Sequence, residues 1–195
     1  MPVQLVHLPK AGPSDLDAVA EAVTAGRRVG LAACPRSNAR LGNGLPDLPA
    51  WTARRIPWGL GTDGAPAVNR CDMFAEMRFA LLAHGGPARD ALARATLEAA
   101  RSLGLQDAIG SLEAGKQADL AAVRVTAPRC VPAYDPVSVL VHCADPSDVV
   151  LTMVGGHVLY DGSEIATVDE PRVAARCQER AGVLWAGITG RRVVS

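Results

Sequence analysis

Three strand-then-helix units follow one another within residues 3 to 84, and that succession limits the fold more than any other feature of the chain. Val3-Gln4-Leu5-Val6-His7-Leu8 reads as a short strand. Behind Pro13-Ser14-Asp15, with Ser14 the expected N-cap, Leu16, Val19, Ala20 and Val23 recur at helical spacing until Gly26. Arg28 to Cys34 (RVGLAAC) is almost continuously apolar, as a strand covered on both faces of a parallel sheet must be. Pro35 to Gly44 reads as a turn-rich loop, Leu48 to Arg55 as a short helix and Ile56 to Leu60 as the next buried strand. Met73 to His84 is an amphipathic helix closed by Gly85-Gly86-Pro87. Units repeated in this way imply a parallel sheet with right-handed crossovers. Three strands cannot close a barrel, and a whole (β/α)8 barrel takes about 250 residues, more than the 195 present. The expected fold class is α/β, as a small open domain or as the tail of something larger.

Beyond these units the pattern changes. Ala88 to Leu103 is one more helix, and Ile109 to Lys116 is turn-like, with Glu113 and Lys116 a surface pair. Ala118 to Val125 reads as a strand, and Tyr134-Asp135-Pro136 opens a helix running to about Cys143. Val149 to Val154 and His157 to Tyr160 flank Gly155-Gly156, a tight-hairpin signature. Thr167 to about Leu184 reads as a final helix. With 49% of residues apolar and 21% charged, the chain can bury a core. Its net charge of zero favours neither nucleic acid nor an anionic membrane as a partner. No apolar run approaches the roughly 20 residues that span a bilayer, and the start MPVQLVHLPKAG lacks the plan of a secretory signal. The five cysteines are odd in number, scattered and never in a CxxC pair, which fits reduced thiols in a cytoplasmic protein.

Several stretches occur together in a fixed order: "CPRSNARLGNG" (34 to 44), "LGTDG" (60 to 64), "CDMFAEMR" (71 to 78), "ATLEAARSLGL", "IGSLEAGKQADLAAV", "YDPVSVLVHCA" and "VVLTMVGGHVLYDG". The set resembles the C-terminal portion of the amidohydrolase superfamily, in the branch of guanine, cytosine and adenosine-type deaminases and chlorotriazine-like hydrolases. The resemblance covers about residues 3 to 190. It implies a partial (β/α)8 barrel made of the last three strand-helix units, residues 1–108. It further implies the C-terminal share of a small β-sandwich (109–165), followed by a C-terminal helix and tail (166–195). In such barrels chemistry sits at the C-terminal ends of the strands. Asp63 matches the family aspartate at the end of strand eight, which ligates a zinc or iron ion and takes a proton from the metal-bound water.

Chemistry of that kind needs more than one carboxylate. A catalytic zinc takes about three protein ligands and a water. The family supplies a His-x-His at strand one and a His at strand five, with a Glu three residues later. This chain has His7, His84, His142 and His157, none in either arrangement. Strand six often reads A-H-C-V-H-L in the family; here Gln4 stands at the first histidine and His7 at the second. Glutamine donates a hydrogen bond but does not carry a proton at neutral pH. Strand alternation sends Gln4 and His7 to opposite faces. Where the family has G-A-A-S-N-N-S-L-D-M-F, residues 64 to 74 keep Asn69 and Asp72 but carry Ala67 and Val68, and Asp72 is placed to cap the next helix. Arg36 and Asn38 lie on a loop that the resemblance sets over the substrate side, either touching substrate or fixing the loop. The candidate set is thus Asp63 as catalytic residue and metal ligand, with Gln4, His7, Arg36, Asn38 and Asn69 toward substrate.

The expected function is the C-terminal part of a metal-dependent hydrolase of non-peptide C–N bonds, deaminating a cyclic amidine or nucleobase-like small molecule. The chain is expected to be inactive by itself. The alternatives are one half of a two-chain enzyme completed by an N-terminal partner chain, or a non-catalytic remnant or interaction protein. The raw sheet edges also allow a homo-oligomer.

Overall fold

The computed structural model describes residues 3–189. Three strands, β1 (Val3–Val6), β2 (Val29–Ala33) and β3 (Trp58–Leu60), form one parallel sheet in the order β1-β2-β3. Helix α1 (Pro13–Thr24) crosses from β1 to β2. Helices α2 (Pro35–Arg40) and α3 (Leu48–Ala53) cross from β2 to β3. After β3 come α4 (Ala65–Val68), α5 (Met73–His84), α6 (Ala88–Ala95) and α7 (Leu97–Leu103). A second sheet is antiparallel, with β4 (Leu120–Val123), β5 (Val149–Val154) and β6 (His157–Tyr160) in chain order. Helix α8 (Pro136–His142) precedes β5, and α9 (Glu170–Thr189) ends the described chain. No closed barrel is present among the described residues. None of the described helices is long and apolar enough to cross a membrane.

Alternation along the strands decides the core. Leu31 and Ala33 of β2 and Trp58 and Leu60 of β3 face the helices, packing with Leu16, Trp51 and Met77. Trp51 and Trp58 meet edge to face, centroids 6.0 Å apart, a geometry the ring quadrupoles favour. The second face carries Gly30 and Gly59, and α7 lies directly on it. A Cβ at Gly30 would fall 1.9 Å from the Ser102 carbonyl oxygen, and one at Gly59 2.5 Å from Ala99 Cα. The two glycines are therefore the condition for that helix to seat.

The region expected as one helix from Ala88 to Leu103 is broken at Thr96, whose φ of −131° and ψ of −102° are not helical. The break lets α6 pack on α5 and α8 while α7 turns onto the glycine face. The segment read as a loop after β2 opens instead with helix α2, begun by Pro35, whose ring fixes a helical φ at the first position. Strand β1 ends at Val6 because His7 (φ 72°) and Leu8 (φ 41°) leave the extended region. Ser14 falls inside α1; the cap is Gly12, whose N–H donates to Asp15 Oδ2 at 2.9 Å. Helix α5 keeps its expected bounds, and its N-cap Asp72 accepts from the Ala75 N–H at 3.1 Å. The hairpin turns at Gly155 and Gly156, both at positive φ.

Gly59→Ala should destabilise the fold by about 1–3 kcal/mol, because the added methyl overpacks the α7 contact. A lowered urea midpoint with unchanged slope is the expected reading.

Candidate active site

Residue Asp63 stands three positions beyond the end of β3. Its φ of 60° is left-handed, a conformation aspartate tolerates better than most side chains. That turn points the carboxylate back across the strand ends, where three groups meet it. The Ser37 Oγ–H donates to Oδ2 at 2.5 Å. The Gly64 N–H donates to Oδ1 at 2.6 Å. His7 Nε2 lies 3.6 Å from Oδ2. Hydrogen bonds from Ser37 first, then Gly64, hold the Asp63 carboxyl below its ordinary range, since both stabilise the charged form. The side chain keeps 30% of its surface exposed, so a small molecule can reach it.

Strand alternation alone separates Gln4 from His7. Gln4 pairs in register with Gly30 on the face that α7 covers. His7 escapes that pattern because its positive φ ends the strand and swings the ring to Asp63. Among the described residues no hydrogen bond or ion pair joins Gln4 to Asp63. Among the described residues the buried His7 Nδ1 atom has no hydrogen-bond partner. Arg36 does not point at Asp63: Nη1 reaches Glu76 Oε1 and the Arg70 carbonyl, and Nη2 the Val68 carbonyl, each at 3.4 Å. Asn38 is wholly buried, and among the described residues neither side-chain amide atom has a partner. Asn69 is exposed at the end of α4, with φ 62°.

Two residues essential to this geometry, Ser37 and Glu76, carried no role in the sequence reading. Ser37 sits inside the CPRSNARLGNG stretch, one position before Asn38. Glu76 lies at helical spacing with Met73, Met77 and Ala80, on the face that α5 buries. A lone carboxylate on an apolar stripe is the signal that marks it. Burial pushes the Glu76 carboxyl up to about 7, against the pull of Arg36. Cys34 is pushed up to about 11 by burial and by the nearby Asp63 and Glu76 charges, which leaves it a poor nucleophile.

Serine, histidine and aspartate meet here, yet not as a nucleophilic triad. The Ser37 hydroxyl donates to Asp63, whose lowered pKa makes it a weak base, and among the described residues no hydrogen bond joins Ser37 to His7. As a metal centre the set is incomplete. A catalytic zinc takes about three protein ligands, and no cluster of three or more His, Cys, Asp or Glu is placed to hold a metal among the described residues. His7 Nε2 and Asp63 Oδ2 are the two donors that approach each other. The residues of this chain alone do not fit the metal.

Comparison with known proteins places this geometry in context. Residues 3–159 match the amidohydrolase family. A 5-methylthioadenosine/S-adenosylhomocysteine deaminase of Moorella thermoacetica is 38% identical over 197 aligned positions, covering 92% of this chain and 46% of the relative. The crystal structure of an adenosine deaminase from Xanthomonas campestris with bound zinc superposes with a TM-score of 0.81 at 30% identity, over 90% of this chain and 41% of that one. A zinc complex of an atrazine chlorohydrolase from Arthrobacter aurescens gives 0.76 at 28% identity, over 91% and 40%. The chain thus spans less than half the length of these relatives.

Because the Glu76 carboxyl is raised in the fold from 4.5 to about 7, the native state holds its proton more tightly than the unfolded chain. Its contribution to stability is full below pH 4.5 and is lost as pH rises through 7. Glu76→Gln should flatten that fall, on the order of 3 kcal/mol across the window, in urea titrations repeated from pH 4 to 8.

Proposed function

The chain belongs to the amidohydrolase family, and from that membership we propose that it is the C-terminal part of a deaminase acting on a nucleobase-like ring. The parallel sheet β1-β2-β3 then corresponds to strands six to eight of a barrel, and the antiparallel sheet to its share of the small sandwich. The observation that carries the reading is Asp63. It projects from the strand end that matches the family's strand eight, with its carboxylate ionised and oriented by Ser37 and Gly64. Relatives named as 5-methylthioadenosine/S-adenosylhomocysteine deaminases point to an adenine nucleoside as the substrate class. The bond broken would be the exocyclic C–N bond of the amidine ring.

In this reading the chain's own residues have limited tasks. Asp63 accepts or holds a proton at Oδ2, Ser37 keeps that oxygen in place, and His7 borders it. The zinc or iron of the family cannot be held by His7 and Asp63 alone. The remaining donors would come from the length that the relatives have and this chain does not span, in the same polypeptide or in a second one. A second reading, a remnant without catalysis, is favoured by Gln4, since an amide has replaced the strand-six histidine.

A complementation assay separates them. The chain is co-expressed with the N-terminal portion of the Moorella relative, and ammonia release from 5′-methylthioadenosine is followed with zinc added. Turnover by the pair, lost by about 100-fold or more in Asp63→Asn, is the expected outcome, with none from the chain alone. Turnover that ignores Asp63→Asn would refute the assignment of this residue, and its absence from the pair would favour the remnant.

A further inference from the structure

Glu76 is a carboxyl with no exposed surface, and a buried carboxylate is costly unless it is paired and hydrogen-bonded. Among the described residues its hydrogen-bond partners all belong to one residue. Arg36 donates its backbone N–H to Oε2 at 3.3 Å and its Nη1 to Oε1 at 3.4 Å. Arg36 is the second residue of α2, so that N–H is one of the donors a helix start leaves without an internal partner. The N-cap, Cys34, makes no side-chain cap bond. Glu76 therefore caps α2 from another helix. The next residue along α2 is Ser37, fully buried, whose hydroxyl is the donor to Asp63 Oδ2. The same guanidinium reaches the carbonyls of Val68 and Arg70, in the chain that follows Asp63. One carboxyl thus ties together the helix that delivers Ser37 and the loop that carries Asp63.

We propose that Glu76 is a positioning residue for Asp63, acting through Arg36 and the start of α2 to keep the Ser37 hydroxyl on Asp63 Oδ2. Its catalytic meaning rests on the function proposed above; its geometry does not. Glu76 touches neither Asp63 nor any reacting atom. Without it the Arg36 N–H loses its acceptor, the first turn of α2 loosens and Ser37 drifts. The Asp63 carboxylate then loses one of its two short bonds, and Gly64 N–H is left with a mobile acceptor.

The test uses the 195-residue chain and the Gly64 amide as reporter, because that N–H donates to Asp63 Oδ1. Its chemical shift and hydrogen exchange are measured by NMR in the wild type, Glu76→Ala, Glu76→Gln, Arg36→Ala and Ser37→Ala. Val141→Ala, in the same apolar cluster but touching neither Arg36 nor Ser37 by a hydrogen bond, serves as a control for loss of core stability. Glu76→Ala should speed Gly64 exchange about tenfold and move its shift in the direction seen for Ser37→Ala. Glu76→Gln should restore most of both, because the amide oxygen still accepts the Arg36 N–H. Val141→Ala should leave the reporter in place although stability falls. A reporter that ignores Glu76→Ala, or that moves as far in Val141→Ala, overturns the proposal. Should Glu76→Ala fail to fold, Glu76→Leu, which fills the buried space but offers no acceptor to the Arg36 N–H, carries the test; an unmoved Gly64 amide there overturns the proposal equally. Loss of the deaminase reading in the complementation assay leaves this amide result unaffected, so the two can fail separately.

Discussion

A parallel sheet must be covered on both faces, and in this protein that requirement governs everything else. One face is met by apolar side chains: Leu31, Ala33, Trp58 and Leu60 against α1, α3 and α5. The other is met by backbone. Gly30 and Gly59 remove the side chains that would hold α7 away, and the break at Thr96 supplies the direction change that brings α7 there. The outer edge of β3 is partly closed as well. The Trp58 carbonyl, pointing away from β2, accepts from Arg94 Nη1 at 3.2 Å, and the same guanidinium lies 4.1 Å over the Trp58 ring. A side chain that satisfies an edge carbonyl and covers an aromatic face makes that edge a poorer template for association.

The site inherits its geometry from this packing. Once β2 and β3 are fixed side by side, the segments leaving their ends are neighbours, and α2 can bring Ser37 to Asp63. Two carboxyls placed near one another then receive opposite environments. Asp63 sits at the rim with two short hydrogen bonds, and its charged form is favoured. Glu76 sits beneath, fully buried, and its charged form is disfavoured even beside Arg36. The difference is desolvation against hydrogen bonding, the two influences that most often separate like groups. An ionised acid at the rim and a mostly structural one below is the division of labour the arrangement supports.

Much of this is legible in the chain itself. The apolar run 28 to 34, the helix from Met73 to His84 with its Asp72 cap and the Gly155-Gly156 hairpin are local patterns, and each formed where periodicity and cap chemistry placed it. The position of Asp63 just past a buried strand was legible for the same reason. His7 stands among the candidates on the resemblance, but the direction of its ring is not legible, because alternation assumes an extended backbone and a positive φ at the residue itself re-aims it. The sequence allows Arg36 either to touch substrate or to fix its loop, and its guanidinium is engaged by Glu76 and two carbonyls.

What the sequence by itself determined are the features that depend on three or four neighbouring residues: which segments are strands, which are helices, where they are capped, and that a carboxylate follows β3. What only the tertiary structure decided are contacts between distant positions. Glu76 meets Arg36 across 40 residues and Ser37 meets Asp63 across 26. No local periodicity encodes such pairs. They exist because packing of β2 against β3, and of α5 beneath α2, brings the groups within reach and removes the water that would otherwise have satisfied them.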